Sequence, residues 1–123
     1  MNVVDSSGWL EYFADAPNAD FFAPTIEDVA NLVVPVVTLY EVFKRVASEQ
    51  STDQAYVAVS QMRQGHIVDL NANLAVSAAA LSLDRRLPMA DSIILATARS
   101  FEAVLWTQDE DFRDLDGVEY VAK

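Results

Sequence analysis

The sequence predicts an α/β fold, a three-layer α/β/α sandwich around a mostly parallel sheet of four to five strands. Short, β-branched apolar segments alternate along the chain with longer segments of helical periodicity. The short segments are apolar throughout, which is typical of strands that are covered on both faces. No internal repeat or low-complexity segment interrupts this pattern, so we expect residues 1–123 to form a single domain.

The first elements are a strand and two helical segments. Asn2–Val4 is short and β-branched, which favours a strand. Ser6–Ala16 and Asp20–Leu32 follow with apolar residues at helical spacing. Pro24 bends or splits the second of these helices, because proline lacks the N–H group that a helix interior uses.

The central elements are a buried strand followed by two helices. Leu32–Val37 is an apolar, β-branched run and predicts a strand, although Pro35 removes one backbone donor from it. Thr38–Gln50 and Ser51–Gln64 are the helices, and Gly65 ends the second of them.

The last elements follow the same rules of apolar spacing and flanking turn residues. The strands are His66–Leu70, Ala103–Thr107 and, at an edge of the sheet, Val118–Ala122; the helices are Ala72–Asp84 and Pro88–Phe101.

Composition excludes several classes of function. Nineteen acidic residues oppose eight Lys and Arg, for a net charge of −11, which argues against passive binding of nucleic acid through a basic surface. The acids can instead bind metal ions, attract a basic partner or keep the protein in solution. The chain has no cysteine, which fits a cytoplasmic protein, and neither a signal peptide nor a membrane-spanning run is present. With three glycines, it has no phosphate-binding glycine loop.

Three acidic residues lie where parallel strands end or where a helix begins. Asp5 directly follows the first strand, and Asp109 comes just past the strand Ala103–Thr107, with Asp111 two residues further on. Asp5 also fits a helix N-cap, and the acidic stretch around Asp109 also fits a solvated turn. In a parallel sheet these positions share the carboxyl edge, where ligands bind.

Asp91 reaches the same edge from a helix. It shares a helical face with Ile94, Leu95 and Ala98, and that face should pack on the sheet. The helix runs antiparallel to the strands in a βαβ unit, so its first turn lies at the carboxyl edge. The helix dipole also stabilises an acid in the first turn, but this effect does not require the side chain to point inward.

Glu41 has an ordinary local interpretation. Thr38 and Glu41 fit a capping box, and Lys44 and Arg45 lie one turn further along as ion-pair partners. Its place just after the second strand still brings it to the carboxyl edge.

Carboxylates that converge in this way repel one another, by about 4 kcal/mol for two charges 4 Å apart at an effective dielectric constant of 20. A divalent cation removes the repulsion, and Mg²⁺ or Mn²⁺ prefers hard oxygen ligands. The chemistry this favours is metal-assisted hydrolysis of a phosphodiester.

The ordered set of motifs resembles the PIN-domain nucleases, and among them the VapC toxins of toxin–antitoxin pairs. The motifs are "VVDSS" with Asp5, "TLYEVFKR" with Glu41, "LPMADSIILATA" with Asp91, and "LWTQDEDF" with Asp109 and Asp111. They extend over almost the whole chain. The resemblance implies a PIN-like α/β/α fold and an endoribonuclease that depends on Mg²⁺, with Mn²⁺ as a substitute.

The resemblance also implies roles for single residues and for partners. Asp5, Glu41, Asp91 and Asp109 match the catalytic, metal-binding acids of the family, and Asp111 matches a neighbouring ligand. Thr107 and Ser6 match polar residues that accompany them. The implied partners are an RNA substrate, a VapB-like antitoxin whose tail blocks the acidic site, and a second copy of the chain. RNA affinity remains unexplained by the residues, unless metal and scattered cations such as Lys44, Arg45, Arg85 and Arg86 supply it.

Two other classes of function remain open. A non-catalytic module would hold a basic partner on its acidic face without cleaving RNA. An aspartyl-phosphate receiver or phosphatase would also place an acid after the first strand, although Asp5 is followed by two serines and the chain's only lysines are Lys44 and Lys123. His66, the single histidine, is expected to be structural or exposed rather than a general base.

Overall fold

The structure, a computed structural model, describes residues 1–123. The strands are β1 (Asn2–Val4), β2 (Leu32–Pro35), β3 (His66–Val68), β4 (Val104–Thr107) and β5 (Val118–Tyr120). The α-helices are α1 (Ser6–Phe13), α2 (Ala19–Glu27), α3 (Val36–Glu49), α4 (Thr52–Met62), α5 (Ala72–Arg85) and α6 (Met89–Ser100). Short 3₁₀ turns occupy Val29–Asn31 and Glu110–Phe112.

The five strands form one sheet in the order β3-β2-β1-β4-β5, and every neighbouring pair is parallel. This confirms the predicted parallel sheet and places β5 at an edge. The order reverses at β1, which has β2 on one side and β4 on the other. In open parallel sheets the crevice outside the carboxyl ends at such a reversal is where ligands bind.

Helices cover both faces of the sheet, so the predicted α/β/α sandwich is confirmed. Successive strand residues point to opposite faces, and Val3 and Val4 are accordingly buried in different cores. The core on the Val4 side is built with α1, α2, α3 and α4. The core on the Val3 side is built with α6 and continues into a cluster between α5 and α6.

The boundary between β2 and α3 differs from the prediction. The strand ends at Pro35 and the helix begins at Val36, so the predicted strand Leu32–Val37 is too long. Pro35 has an extended backbone (φ −62°, ψ 135°) and lacks an N–H, and it takes the N-cap position itself. Thr38 then lies inside the helix, where its hydroxyl donates to the Pro35 carbonyl at 2.7 Å. The predicted capping box of Thr38 and Glu41 is therefore wrong.

The other helices begin within one residue of their predicted starts, but α1 ends three residues and α2 five residues earlier than predicted. Ser51 caps α4 by accepting a hydrogen bond from the Gln54 amide. The helix predicted for Asp20–Leu32 ends at Glu27, three residues beyond Pro24. No helix of the fold combines the length and the apolar character that a membrane crossing requires.

Candidate metal centre

Asp5 caps α1 and faces the crevice beside β1 and β4 at the same time. Its Oδ1 accepts a hydrogen bond from the Gly8 amide at 3.0 Å, and the hydroxyl of Ser7 donates to both carboxylate oxygens. The Thr107 hydroxyl donates to Oδ2 at 2.6 Å. Burial raises the pKa of Asp5 from 3.8 to about 6, against the lowering effect of these donors, and the charge of Asp109 raises it further.

Thr107, at the end of β4, connects two of the acids. It is fully buried, and its hydroxyl both donates to Asp5 and accepts a hydrogen bond from the Asp109 amide at 2.9 Å. One side chain thereby fixes the carboxylate that follows β1 relative to the backbone that follows β4. The family resemblance, rather than local sequence pattern, pointed to this residue.

Asp109 and Asp111 are held in the 3₁₀ turn that follows β4. The Asp109 carboxylate caps this turn by accepting a hydrogen bond from the Asp111 amide at 2.9 Å. Carboxylate oxygens of Asp91, Asp109 and Asp111 all lie within 4.8 Å of one another. The two acids that follow β4 therefore lie next to Asp91 in the first turn of α6.

Asp91 occupies the centre of the acidic group. It is half-buried in the first turn of α6, and its pKa is raised from 3.8 to about 7. Burial is the largest cause, followed by the negative charges of Asp109, Asp5, Glu41 and Asp111. The predicted inward direction of this side chain is confirmed, and all five acids are near enough to interact electrically.

Glu41 lines the cleft, and its local interpretation is wrong in a second respect. The hydroxyl of Ser6 donates to Glu41 across the space between α1 and α3. Neither Lys44 nor Arg45 forms an ion pair with it: Arg45 pairs with Glu49, and the Lys44 ammonium lies over an aromatic ring of the same helix. Glu41 thus has no salt-bridge partner, although both cations line the same cleft.

Four of the five acids line an open cleft of about 450 Å³ at the carboxyl edge of the sheet, and the fifth, Asp111, lies beside Asp91 and Asp109. Its lining residues are Asp5, Ser6, Ser7, Leu10, Tyr40, Glu41, Lys44, Arg45, Ser48, Asp91 and Asp109. The ion pairs of the protein, Arg45–Glu49, Asp84–Arg85 and Arg113–Asp114, include none of the five acids. Such a set of hard carboxylate oxygens without salt-bridge partners fits a divalent cation such as Mg²⁺ or Mn²⁺.

Sequence reasoning missed one residue that lines the cleft and one that supports its surroundings. Tyr40 lines it, and its place one turn before Lys44 on the polar side of α3 is a signal that could have been found. Gln108 is buried between Thr107 and Asp109, where its side chain donates to Glu11 and accepts from an asparagine at the start of α2. A glutamine in an acidic loop carries no local sign of burial.

His66 lies away from the acids. It begins β3 and is therefore at the amino edge of the sheet, where it is exposed and lies beside the ring of Phe101. The expectation that it is not a general base agrees with this position.

Comparison with known proteins identifies the family. The family model described as the PIN domain matches residues 3–118. No curated protein matches the chain.

Several solved structures are similar to this one. A toxin–antitoxin complex from Klebsiella pneumoniae has a TM-score of 0.80 and 22% identity, over 97% of this chain and 96% of that chain. VapBC2 from Rickettsia felis, bound to a promoter DNA fragment, has a TM-score of 0.75 and 13% identity, covering 97% of each chain. Mycobacterium tuberculosis VapC20, described as a toxin that cleaves the sarcin-ricin loop, has a TM-score of 0.74 and 17% identity, over 91% of this chain and 92% of that chain. At these identities the likeness shows the fold, and the family model spans nearly the full sequence: the chain belongs to the PIN-domain family.

Proposed function

We propose that this protein is a metal-dependent endoribonuclease and the toxin of a toxin–antitoxin pair. The observation that carries the proposal is the convergence of five acids, without cationic partners, at the sheet reversal between β1 and β4. Membership of the PIN-domain family supports nuclease chemistry, and the titles of similar structures support the toxin assignment.

Asp91, Asp109 and Asp111 would hold the cation, together with Asp5 and Glu41, which line the same cleft. Mg²⁺, or Mn²⁺ in its place, would activate water and stabilise charge on the phosphodiester oxygens. The chain's own contribution is orientation. Ser7 and Thr107 hold the Asp5 carboxylate, and Ser6 holds that of Glu41. Because burial and neighbouring negative charges raise the pKa values of Asp5 and Asp91, a proton competes with the cation at both carboxylates, and binding of the cation would release it.

The proposed antitoxin would occupy an apolar groove beside the cleft. The groove, of about 750 Å³, lies along α3 and α4 and shares Tyr40, Lys44 and Ser48 with the cleft. A partner with an apolar helix and a basic tail fits both the groove and the acidic cleft next to it. The similar structures from Klebsiella pneumoniae and Rickettsia felis are toxin–antitoxin complexes, which supports this partner.

We also propose a homodimer. The exposed side of α5 carries no charged residue from Ala72 to Leu83, in a protein with a net charge of −11. Val76, Leu83 and, at the start of α6, Met89 are large apolar side chains left exposed in this region. Two copies that repel through most of their surface are expected to associate at a face without charge.

The proposed activity is tested by cleavage of a mixed RNA pool with added Mn²⁺. We expect Asp91→Asn and Asp5→Asn to reduce cleavage by about a hundredfold or more, because each removes a negative oxygen from the site. Asp20→Asn is the matched control, since Asp20 also lies in the first turn of a helix but is exposed on α2, outside the cleft.

Circular dichroism would establish that each variant keeps its helices. Wild-type protein that binds a basic partner but leaves the RNA pool intact over a full Mn²⁺ titration would contradict the ribonuclease and favour the non-catalytic module. Full activity in both cleft variants would contradict the assigned acids.

A further inference from the structure

We infer that Tyr40, Lys44 and Arg45 form a single-stranded RNA-binding ledge on α3, in which the Tyr40 ring stacks on an unpaired base and the two cations hold adjacent phosphates. This α3 ledge deepens the proposed ribonuclease function and rests on it. It would explain how a protein with a net charge of −11 binds RNA, which is itself negatively charged.

The three side chains lie together at the rim of the cleft. Tyr40 and Lys44 are four residues apart on α3 and so share one face of the helix. The Lys44 ammonium is 5.7 Å from the centre of the Tyr40 ring. All three side chains line the same cleft as Asp5 and Asp91. A strand bound on this ledge would pass directly over the acids.

The Tyr40 ring is not used by the core. The buried side of α3 consists of Thr38, Val42 and Val46, whereas Tyr40 is 66% exposed. Apart from the Lys44 ammonium over its ring, Tyr40 has no hydrogen-bond partner and no aromatic neighbour. An open aromatic face beside a cation is the combination that proteins use to bind single strands, because every base offers a ring to stack on.

The positive charge of the cleft is confined to the ledge. Lys44 and Arg45 are the two cations among its lining residues. Arg45 is paired with Glu49 on the exposed surface of α3, and exposed pairs of this kind are weak enough to be exchanged for a phosphate. Arg85 and Arg86 lie at the end of α5 and do not line the cleft. Of the four cations that the sequence offered for RNA binding, only Lys44 and Arg45 therefore lie where a bound strand would reach the acids.

The ledge also defines the class of RNA. A ring can stack only on a base that is not already stacked within a duplex, and single-stranded loops and ends present such bases. A duplex offers the two cations its phosphates but leaves the Tyr40 ring without a partner. We therefore expect the protein to prefer unpaired RNA over a duplex of the same length.

Binding can be measured separately from cleavage. In the full-length Asp91→Asn protein, with chelator present, fluorescence anisotropy reports the Kd for a short, unstructured, labelled RNA. We expect Tyr40→Ala in this background to weaken binding about tenfold and Tyr40→Phe, which keeps the ring, to change it less than about twofold. We expect Lys44→Ala to flatten the plot of log affinity against log salt by about 0.7, the value for one phosphate contact on a single strand.

Matched controls come from the same surface chemistry elsewhere in the chain. Tyr56 is 62% exposed on α4 and lies outside the cleft, and Arg99 is an exposed cation in the last turn of α6, at the opposite edge of the sheet. Tyr56→Ala should leave the Kd unchanged, and Arg99→Ala should leave the salt slope unchanged.

The outcomes separate the ledge from the function it rests on. Wild-type cleavage with Mn²⁺, combined with Tyr40→Ala and Lys44→Ala variants that bind like their controls, would overturn the ledge alone. Absence of both cleavage and RNA binding in every protein would overturn the ledge and the ribonuclease together. Equal affinity for duplex and single strand would overturn the stacking role of Tyr40.

Discussion

At the scale of single residues, a capping role and a place in the cleft are not alternatives. One carboxylate oxygen of Asp5 accepts a hydrogen bond from the Gly8 amide, and the other accepts one from the Thr107 hydroxyl. Asp109 likewise caps its 3₁₀ turn while it approaches Asp91. Because a carboxylate has two oxygens and about four lone pairs, an acid can complete a helix terminus and still present an oxygen to a cation.

The raised pKa of Asp91 predicts a dependence of stability on pH. The folded pKa is about 7 and the unfolded value is near 3.8, so between these values the folded chain binds more protons than the unfolded chain. The free energy of unfolding of the metal-free protein should therefore fall as pH rises through this window. The raised pKa of Asp5, about 6, acts in the same direction.

Asp91→Asn should recover part of the stability that the metal-free protein loses as pH rises. Near pH 8, in chelator, we expect a gain of about 1 kcal/mol, discounted from the full shift because solvent screens a half-buried carboxylate. Near pH 4 the difference should vanish, since the folded-state carboxyl is neutral there. Urea denaturation at both pH values measures this, with Asp20→Asn as the exposed control. Equal effects of the two substitutions at pH 8 would contradict the prediction.

At the scale of elements, the close packing of α1 on β1 sets the position of Asp5. Gly8 lies inside α1, and a Cβ added there would come within 2.6 Å of Val4 Cγ1 and 2.7 Å of Phe22 Cε1. The helix can approach the strand and α2 closely only because this residue has no side chain. Asp5 is the single residue between β1 and α1, and this short connection requires the helix to pack closely on the strand.

Gly8→Ala therefore reverses the usual effect of this substitution. In an exposed helix interior, alanine in place of glycine stabilises by about 1 kcal/mol. Here we expect a loss of about 2 kcal/mol in the free energy of unfolding, because the methyl group overlaps two buried side chains. Urea denaturation tests this, and Ser60→Ala on the exposed side of α4 is the control. A stabilising Gly8→Ala would show that α1 packs less closely than described.

At the scale of the whole molecule, charge and apolar surface divide the protein into distinct faces. Five of the nineteen acidic residues meet at the carboxyl edge, whereas the exposed side of α5 is free of charge from Ala72 to Leu83. Leu83 is 85% exposed, the most open of the large apolar side chains. Clusters of exposed apolar residues of this kind mark association surfaces in soluble proteins.

Leu83→Glu should disrupt the proposed homodimer. A charge placed at a self-complementary face meets its own copy across the symmetry axis, so repulsion adds to the loss of apolar contact. Light scattering coupled to size-exclusion chromatography should give a dimer for the wild type and a monomer for the variant. Val57→Glu, on the exposed surface of α4, is the control and should stay dimeric. A Leu83→Glu variant that elutes as a dimer would exclude this face.

The sequence by itself determined the elements, the parallel sheet and the direction of Asp91, because apolar periodicity and strand-end position are local properties that survive folding. Only the tertiary structure decided the surroundings of Glu41. Local spacing offered it a capping box and two cations, yet Pro35 moved the helix start and Ser6, thirty-five residues away, became its partner. The same holds for the pKa of Asp91, which depends on burial and on four acids brought together by β1, α3 and β4. Electrostatic energy depends on the distance between charges in space. For residues far apart in sequence, that distance is set only when the strands take their places in the sheet.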